Sequence, residues 1–207
     1  MRDNLTEIVF ILDRSGSMSR LTDDTIGGFN SFIEQQKKVD GEARLTTVLF
    51  DDRYELLHNG VDIHEVKPLT RDDYSARGMT ALYDAIGKTI NDVGDRLNKT
   101  PEDDKPSKVI VVITTDGAEN SSVEFSQSKV KEMITHQTEK YSWEFIFLGA
   151  NIDSVAVGDS IGIAANRSAN YSASDKGVAS VYCAMCDTIS TYRNTGTVDE
   201  KSFNSLC

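Results

Sequence analysis

Short apolar runs alternate along the chain with longer stretches in which apolar residues recur every three or four positions. The runs at 8–12 and 109–115 are almost wholly apolar, and such runs are typical of strands buried on both faces of a parallel sheet. The stretch 21–38 carries Phe29 and Ile33 at helical spacing, which predicts a helix after the first strand. The alternation therefore predicts a chain of the α/β class.

The whole pattern predicts six strands and five helices. The strands are expected at 6–12, 43–50, 54–61, 108–115, 143–148 and 167–171. The helices are expected at 21–38, 80–97, 124–140, 154–161 and 175–192. The turn 51–53 makes the second and third strands a hairpin, whereas the other connections predict right-handed parallel crossovers. The expected fold is a three-layer, doubly wound, mostly parallel sheet with one antiparallel edge strand, and its crevice lies between the first and fourth strands.

One domain accounts for most of the length. A chain of 207 residues is long enough to bury a full core as a single α/β unit. The polar segment 98–107 is a loop rather than a domain boundary, because the strand pattern resumes directly after it. We predict a domain at 1–193 and a flexible C-terminal tail at 194–207, whose content of Asn, Thr, Gly and Ser is typical of mobile termini.

An excess of acidic residues narrows the class of partner. Lys and Arg total 22 against 33 for Asp and Glu, a formal net charge of −11, which disfavours nucleic acids and anionic membranes because their phosphates would be repelled. No apolar run approaches the roughly 18 residues of a membrane helix, and the first residues lack the apolar stretch of a secretory signal. These features predict a cytoplasmic protein.

The three cysteines are too few for a disulfide framework and suggest a reducing compartment. Cys183 and Cys186 lie three positions apart in the last predicted helix, where neither a redox motif nor a zinc site would be complete. We predict that they are buried thiols that pack on the sheet, and that Cys207 lies on the mobile tail.

Oxygen-bearing side chains follow the buried runs in three distant segments. Asp13, Ser15 and Ser17 follow the first run, Thr80 opens a predicted helix, and Asp116 follows the fourth strand. Two carboxylates and three hydroxyls, with no histidine or thiol nearby in sequence, suit a hard cation and poorly suit zinc or copper. The donor set predicts Mg2+ first, with Mn2+ or Ca2+ as alternatives, and leaves the ion able to accept an oxygen from another molecule.

This set resembles the metal-ion-dependent adhesion site (MIDAS) of von Willebrand factor type A (VWA) domains. The motif Asp13-x-Ser15-x-Ser17 matches together with Thr80 and Asp116, and the surrounding hydrophobic pattern resembles that Rossmann-like fold over nearly the whole chain. All five positions match. Three segments at matching strand ends are a far more specific signal than a lone Asp-x-Ser-x-Ser, since Ser and Asp are common in turns.

The resemblance implies a role for each ligand. Ser15, Ser17 and Thr80 would coordinate the metal directly, Asp13 and Asp116 would act mainly through bound water, and an Asp or Glu of a partner protein would complete the shell. A bare domain of this kind resembles the stand-alone bacterial or phage members, which work in intracellular assemblies, often beside ATPases. The expected function is metal-dependent protein binding, with no catalysis.

A metal-assisted hydrolase or phosphatase that uses the same ion is the alternative. The sequence gives it no general base, because none of His58, His64 and His136 is adjacent to an obvious nucleophile. Ser15 also stands where a haloacid-dehalogenase pattern would need a second Asp, and no Gly-x-x-x-x-Gly-Lys loop is present. The Gly-x-Ser-x-Gly at 158–162 lacks a strand directly before it.

Residues beside the five ligands are expected to set the choice of partner. Arg14 and Arg77 could steer an acidic ligand towards the metal, or they could form ion pairs with Asp72, Asp73 or Glu119. The remaining residues expected to ring the metal are Met18, Tyr74, Met79, Glu119 and Asn120.

Overall fold

The computed structural model describes residues 1–198, which form one six-stranded sheet with helices on both faces. The strands are β1 (Arg2–Asp13), β2 (Glu42–Phe50), β3 (Tyr54–Asp62), β4 (Pro106–Thr115), β5 (Glu144–Ala150) and β6 (Ser168–Tyr171). The helices are α1 (Thr22–Gln36), α2 (Leu82–Lys99), α3 (Gln127–Tyr141), α4 (Ser154–Ser160) and α5 (Asp175–Thr195). Short 3-10 segments lie at Gly16–Leu21, Ile63–Glu65, Glu102–Asp104 and Ala165–Arg167.

The strand order is β3-β2-β1-β4-β5-β6. Every neighbouring pair is parallel except β2 and β3, which form the antiparallel hairpin at one edge. Chain order reverses between β1 and β4, so the carboxyl ends of these two strands flank the crevice where such sheets bind ligands. The predicted fold class is confirmed.

Alternate residues of β1 face two separate apolar layers. Phe10 faces α1 and α5, and its ring meets those of Phe29 and Phe32 edge-on with centroids 5.7 and 4.9 Å apart. Val9 and Ile11 face the opposite layer, which contains the buried residues of α2 and α3. Because β1 is buried on both faces, its end is a rigid support for the residues that follow it.

Two helices begin later than the pattern predicts, for identifiable reasons. The amide of Ala81 donates to the carbonyl of Asp51 at 2.9 Å, so helix α2 begins at Leu82 and Thr80 remains in the preceding loop. Helix α3 begins at Gln127, because the hydroxyl of Ser126 caps it by accepting from the Lys129 amide at 3.2 Å. Both shifts place loop backbone, instead of helix, near the crevice.

The last helix extends past the predicted end of the domain. Helix α5 runs to Thr195, and Gly196, at φ 75°, ends it in the left-handed conformation that glycine adopts without strain. Val198 is buried in the core beyond it. The rest of the predicted tail, 199–207, and Cys207 with it, lies outside the described residues.

The cysteine prediction is only half right. Cys186 is buried against the core, but Cys183 is exposed. A helix of this sort buries one stripe, and Cys183 lies at its margin. Among the helices of residues 1–198, none is both long enough and apolar enough to cross a membrane.

Candidate metal centre

The three predicted ligand segments meet at the carboxyl edge of the sheet. Asp13 is the last residue of β1, and Asp116 follows the last residue of β4. These strands are adjacent and in register, with Leu12 opposite Thr114. Thr80 reaches the same edge from the loop before α2, so the topology brings together residues that are far apart in the sequence.

Four of the five side chains are linked by short contacts. The Ser15 and Ser17 hydroxyl oxygens lie 3.1 Å apart, and the Ser17 hydroxyl donates to Oδ1 of Asp116 at 2.5 Å. Oδ1 of Asp13 accepts from the Ser15 amide at 2.6 Å. The fifth, Thr80, lies beside them, because a Cβ atom added at Gly117 would lie 3.4 Å from Oγ1 of Thr80 and 3.5 Å from Oγ of Ser17.

Asp13 is a fully buried carboxylate with no guanidinium or ammonium partner among residues 1–198. Its Oδ2 accepts from the hydroxyl of Thr115 at 2.5 Å. Burial raises its pKa to about 6; the hydrogen bonds from Thr115 and Ser15 oppose that rise, and the charge of Asp116 adds to it. Burial also raises the pKa of Asp116, while the hydrogen bond from Ser17 opposes the rise. A bound cation would offset both desolvation costs.

Thr80 is held by its backbone, which leaves its hydroxyl available. The Thr80 amide donates to Oδ1 of Asn120 at 2.9 Å, and the Asn120 amide donates back to the Thr80 carbonyl at 3.0 Å. The Thr80 side chain is buried, yet within the described chain no hydrogen bond engages its hydroxyl. Oγ1 of Thr80 is not among the fully buried polar atoms without a partner, so this hydroxyl is accessible to a metal ion.

The chemistry of these donors fits a hard divalent cation. The five side chains offer carboxylate and hydroxyl oxygens, which suit Mg2+, Mn2+ or Ca2+. Residues 1–198 contain no group of three or more His, Cys, Asp or Glu side chains suited to a metal. A site with several hydroxyl donors fits an ion that keeps some of its waters.

Arg14 does not stand on the rim of the site, nor does it pair with the acidic residues expected from the sequence. Its side chain is buried, with Nε 3.2 Å from Oδ2 of Asp51 and Nη1 2.7 Å from Oε2 of Glu55. Arg77 is half-exposed, and its Nε lies 2.8 Å from the same oxygen of Asp51. Only Arg77 can therefore face a partner.

Other predicted rim residues fall into two groups. Met79 is exposed beside Thr80. Met18 is buried in the core. Tyr74 is also buried, and its hydroxyl donates to the Asp13 carbonyl at 2.6 Å. It therefore holds the backbone at the end of β1.

Two acidic residues outside the ligand set attach the third loop to α2. Glu119 accepts from the Tyr83 amide at 3.0 Å. Asp84, in the first turn of α2, accepts from the amides of Val123, Glu124 and Phe125 at 3.0, 2.9 and 2.8 Å. Sequence reasoning missed the role of Asp84, because an acidic residue in a first helical turn is explained by the helix dipole alone. No local signal shows that loop amides point at it.

The structure does not place the residues of the catalytic alternatives in a catalytic arrangement. Ser160 lies within α4, where its hydroxyl donates to the Val157 carbonyl at 2.6 Å, so it is not on a strand-to-helix turn. His58 lies on β3, His64 in the 3-10 segment that follows it, and His136 within α3. No hydrogen bond within residues 1–198 joins any of these histidines to the five predicted ligands.

Comparison with known proteins shows a likeness in structure. No protein-family model matches the chain, and no curated protein matches it in sequence. The structure of proximal thread matrix protein 1 from the mussel byssus, with a zinc-occupied MIDAS motif, is 16% identical with a TM-score of 0.63. The alignment covers 89% of this chain and 46% of that one, so the chain spans less than half the length of the mussel protein.

Two further solved structures agree. A von Willebrand factor type A protein from Catenulispora acidiphila is 12% identical with a TM-score of 0.56, over 88% of this chain and 42% of that one. The manganese-loaded TRAP protein of Plasmodium vivax is 20% identical with a TM-score of 0.51, over 72% and 58% of the two chains. These similarities show that residues 1–198 have the fold of a VWA domain.

Proposed function

We propose that this chain is a divalent-metal-dependent protein-interaction module. Asp13, Ser15, Ser17, Thr80 and Asp116 hold the ion, and a carboxylate from an Asp or Glu of a partner protein completes its shell. Mg2+ is the first choice because the donors are hard oxygens, and Mn2+ or Ca2+ would fit the same donors. The metals named for two similar structures, zinc in the mussel protein and manganese in TRAP, support a divalent ion of variable identity.

The convergence of two buried carboxylates without a basic partner is the observation that carries this proposal. A carboxylate such as Asp13 costs free energy when it is buried and charged. The protein nevertheless gives it only neutral donors, the Thr115 hydroxyl at 2.5 Å and the Ser15 amide at 2.6 Å. Such a group makes sense when a cation is part of the folded, working state.

Recruitment of an acidic partner has to overcome the charge of the chain. The net charge of −11 repels an acidic protein at long range. The metal supplies two positive charges at the contact point, and the half-exposed Arg77 lies on the segment that leads to Thr80. We propose that these charges together favour a carboxylate at the site, and that the partner is a component of an intracellular assembly such as an ATPase.

The direct test is capture from a native lysate on the immobilised chain, in three arms. Proteins should be retained with Mg2+, released by a chelator, and absent from beads carrying Asp13→Ala. Asp103→Ala is the control, because Asp103 is exposed and lies just before β4, at the end of the strands that is opposite the site. A partner that remains equally bound in all arms would contradict the proposal.

The chain is proposed to bind without turnover. The hydrolase alternative predicts that phosphate or ester substrates are consumed by the wild type and spared by Asp116→Ala. We expect neither protein to consume them. Metal-dependent turnover lost in the variant would replace the binding module with an enzyme.

A further inference from the structure

We propose that Asp51 is a positioning residue of the metal site, acting through Arg14 and Arg77; this inference rests on the proposed function. Asp51 follows the last residue of β2 and is itself no candidate ligand. Its side chain is fully buried. Its contacts reach the two segments that carry Ser15 and Thr80.

The carboxylate of Asp51 binds the first ligand segment through Arg14. Arg14 stands between Asp13 and Ser15 in the sequence, and its Nε lies 3.2 Å from Oδ2 of Asp51. The backbone adds a second contact between the same two segments, because the Arg14 amide donates to the Phe50 carbonyl at 2.8 Å. A shift of Asp51 would therefore move the peptide that joins two ligands.

The second ligand segment is bound by both the side chain and the backbone of Asp51. Nε of Arg77 lies 2.8 Å from Oδ2, the oxygen that also receives Arg14. The carbonyl of Asp51 accepts from the amide of Ala81, the residue after Thr80, at 2.9 Å. One residue thus contacts the sequence neighbours of ligands in two segments.

Direct bonds between the two segments complete the unit. The Arg77 amide donates to the Arg14 carbonyl at 2.7 Å, and the Gly16 amide donates to the Gly78 carbonyl at 3.2 Å. Gly78 has a φ of +69°, and a Cβ atom there would lie 2.2 Å from Oδ1 of Asp52. Glycine suits this position chiefly because it adopts a positive φ without strain, since the exposed Asp52 side chain could move aside.

The charges of Arg14 and Arg77 explain why an acidic residue is needed at position 51. Burial would raise the pKa of Asp51, but hydrogen bonds from Arg77 and the Arg53 amide, with the charges of Arg14 and Arg77, hold its pKa below the usual range. Two guanidinium groups therefore stay paired with a buried anion a short distance from the proposed cation. Residues that orient metal ligands without touching the ion commonly alter metal affinity when they are changed.

Calorimetric titration with Mn2+ alone tests the inference in three variants. Asp51→Asn should weaken Mn2+ binding by about 10- to 100-fold. Arg77→Gln should weaken it by about two- to fivefold, in line with the modest strength of half-exposed ion pairs. Glu7→Gln is the matched control, because Glu7 is an equally buried carboxylate paired with Arg96, near the middle of β1 and away from the ligand segments. It should leave Mn2+ affinity unchanged.

The Arg77 variant separates positioning from simple charge. Loss of a positive charge near a cation site would tighten Mn2+ binding through Coulomb attraction alone, whereas loss of positioning weakens it. Arg77 is half-exposed, so this variant remains folded even if Asp51→Asn does not. Urea unfolding in chelator identifies which variants are folded before titration.

The possible results are distinct. Weaker binding in both variants, with the Glu7 control unchanged, supports the inference. Unchanged or tighter binding in Arg77→Gln, or unchanged binding in a folded Asp51→Asn, overturns it and leaves the proposed function intact. A wild type that binds no Mn2+ overturns the proposed function itself, and with it the site that Asp51 would position.

Discussion

Asp13 and Asp51 are two fully buried carboxylates at the ends of neighbouring parallel strands, and their surroundings are opposite. Asp51 lies among guanidinium groups, which hold its pKa below the usual range against the effect of burial. Asp13 has only hydroxyl and amide donors, and burial raises its pKa to about 6. The protein neutralises one anion with its own side chains, whereas the other has no basic partner within residues 1–198 and is the one assigned to the proposed cation.

The difference teaches how to distinguish a structural charge from a functional one. A paired carboxylate such as Asp51 stabilises the fold only together with its partners. An unpaired one such as Asp13 costs stability, and that cost is tolerated where a ligand offsets it. The following variants test this contrast, in order of decreasing effect.

Asp51→Asn should lower the free energy of unfolding by about 3 to 5 kcal/mol, because it leaves two guanidinium groups without their buried anion. Asp13→Asn should not lower it when metal is absent, since the amide keeps the acceptor for the Ser15 amide and loses the buried charge. Urea unfolding in chelator measures both. Equal losses in the two variants would remove the distinction between the carboxylates.

The pH dependence of the wild type relative to Asp13→Asn should show the cost of the Asp13 charge. With its pKa at about 6 in the folded state against 3.8 as the reference value, the folded protein holds more protons than the unfolded chain between those limits. In chelator, the wild type should therefore gain stability over the variant as the pH falls from 7 to 4, by up to about 3 kcal/mol. A flat difference across this range would show that Asp13 titrates normally.

Manganese should stabilise the wild type and not Asp13→Asn. At a free concentration 100 times the dissociation constant, a ligand that binds only the folded state adds about 2.7 kcal/mol to the free energy of unfolding. Thermal unfolding with and without Mn2+ measures this increment. An equal increment in the variant would place the ion somewhere else.

Arg77→Gln should have the smallest effect on stability, below about 1 kcal/mol, because half-exposed ion pairs contribute little. Arg14 remains paired with Asp51 in this variant. A loss as large as that of Asp51→Asn would mean that Arg77, and not Arg14, neutralises the buried anion.

The sequence was sufficient for the fold class, and the structure brings the segments that carry the five predicted donors to the same end of the sheet. Strands such as β1 and β4 have continuous apolar runs, and two of the three ligand segments directly follow them. Local signals of this kind need no knowledge of distant contacts. The mussel, Catenulispora and Plasmodium structures agree with the fold class that these signals predict.

The partners of the charged residues could not be predicted. Arg14 looked like a rim residue because its neighbours are polar, yet it is buried against Asp51, 37 positions away. Asp51 looked like an ordinary turn residue. Asn120 was assigned to the rim, although its side chain holds the Thr80 backbone. Each of these contacts depends on how two loops meet in space, which neither periodicity nor composition records.

The central place of β1 and β4 has a mechanical consequence. A partner bound at the proposed metal site would pull on the strands that end in Asp13 and Thr115, and both lie inside the sheet with a neighbour on each side. Force along these strands would act together on all the hydrogen bonds between them, from Thr6 opposite Lys108 to Leu12 opposite Thr114. Hydrogen bonds that must break together resist tension better than bonds that break one at a time, so the proposed site lies where the sheet is hardest to pull apart.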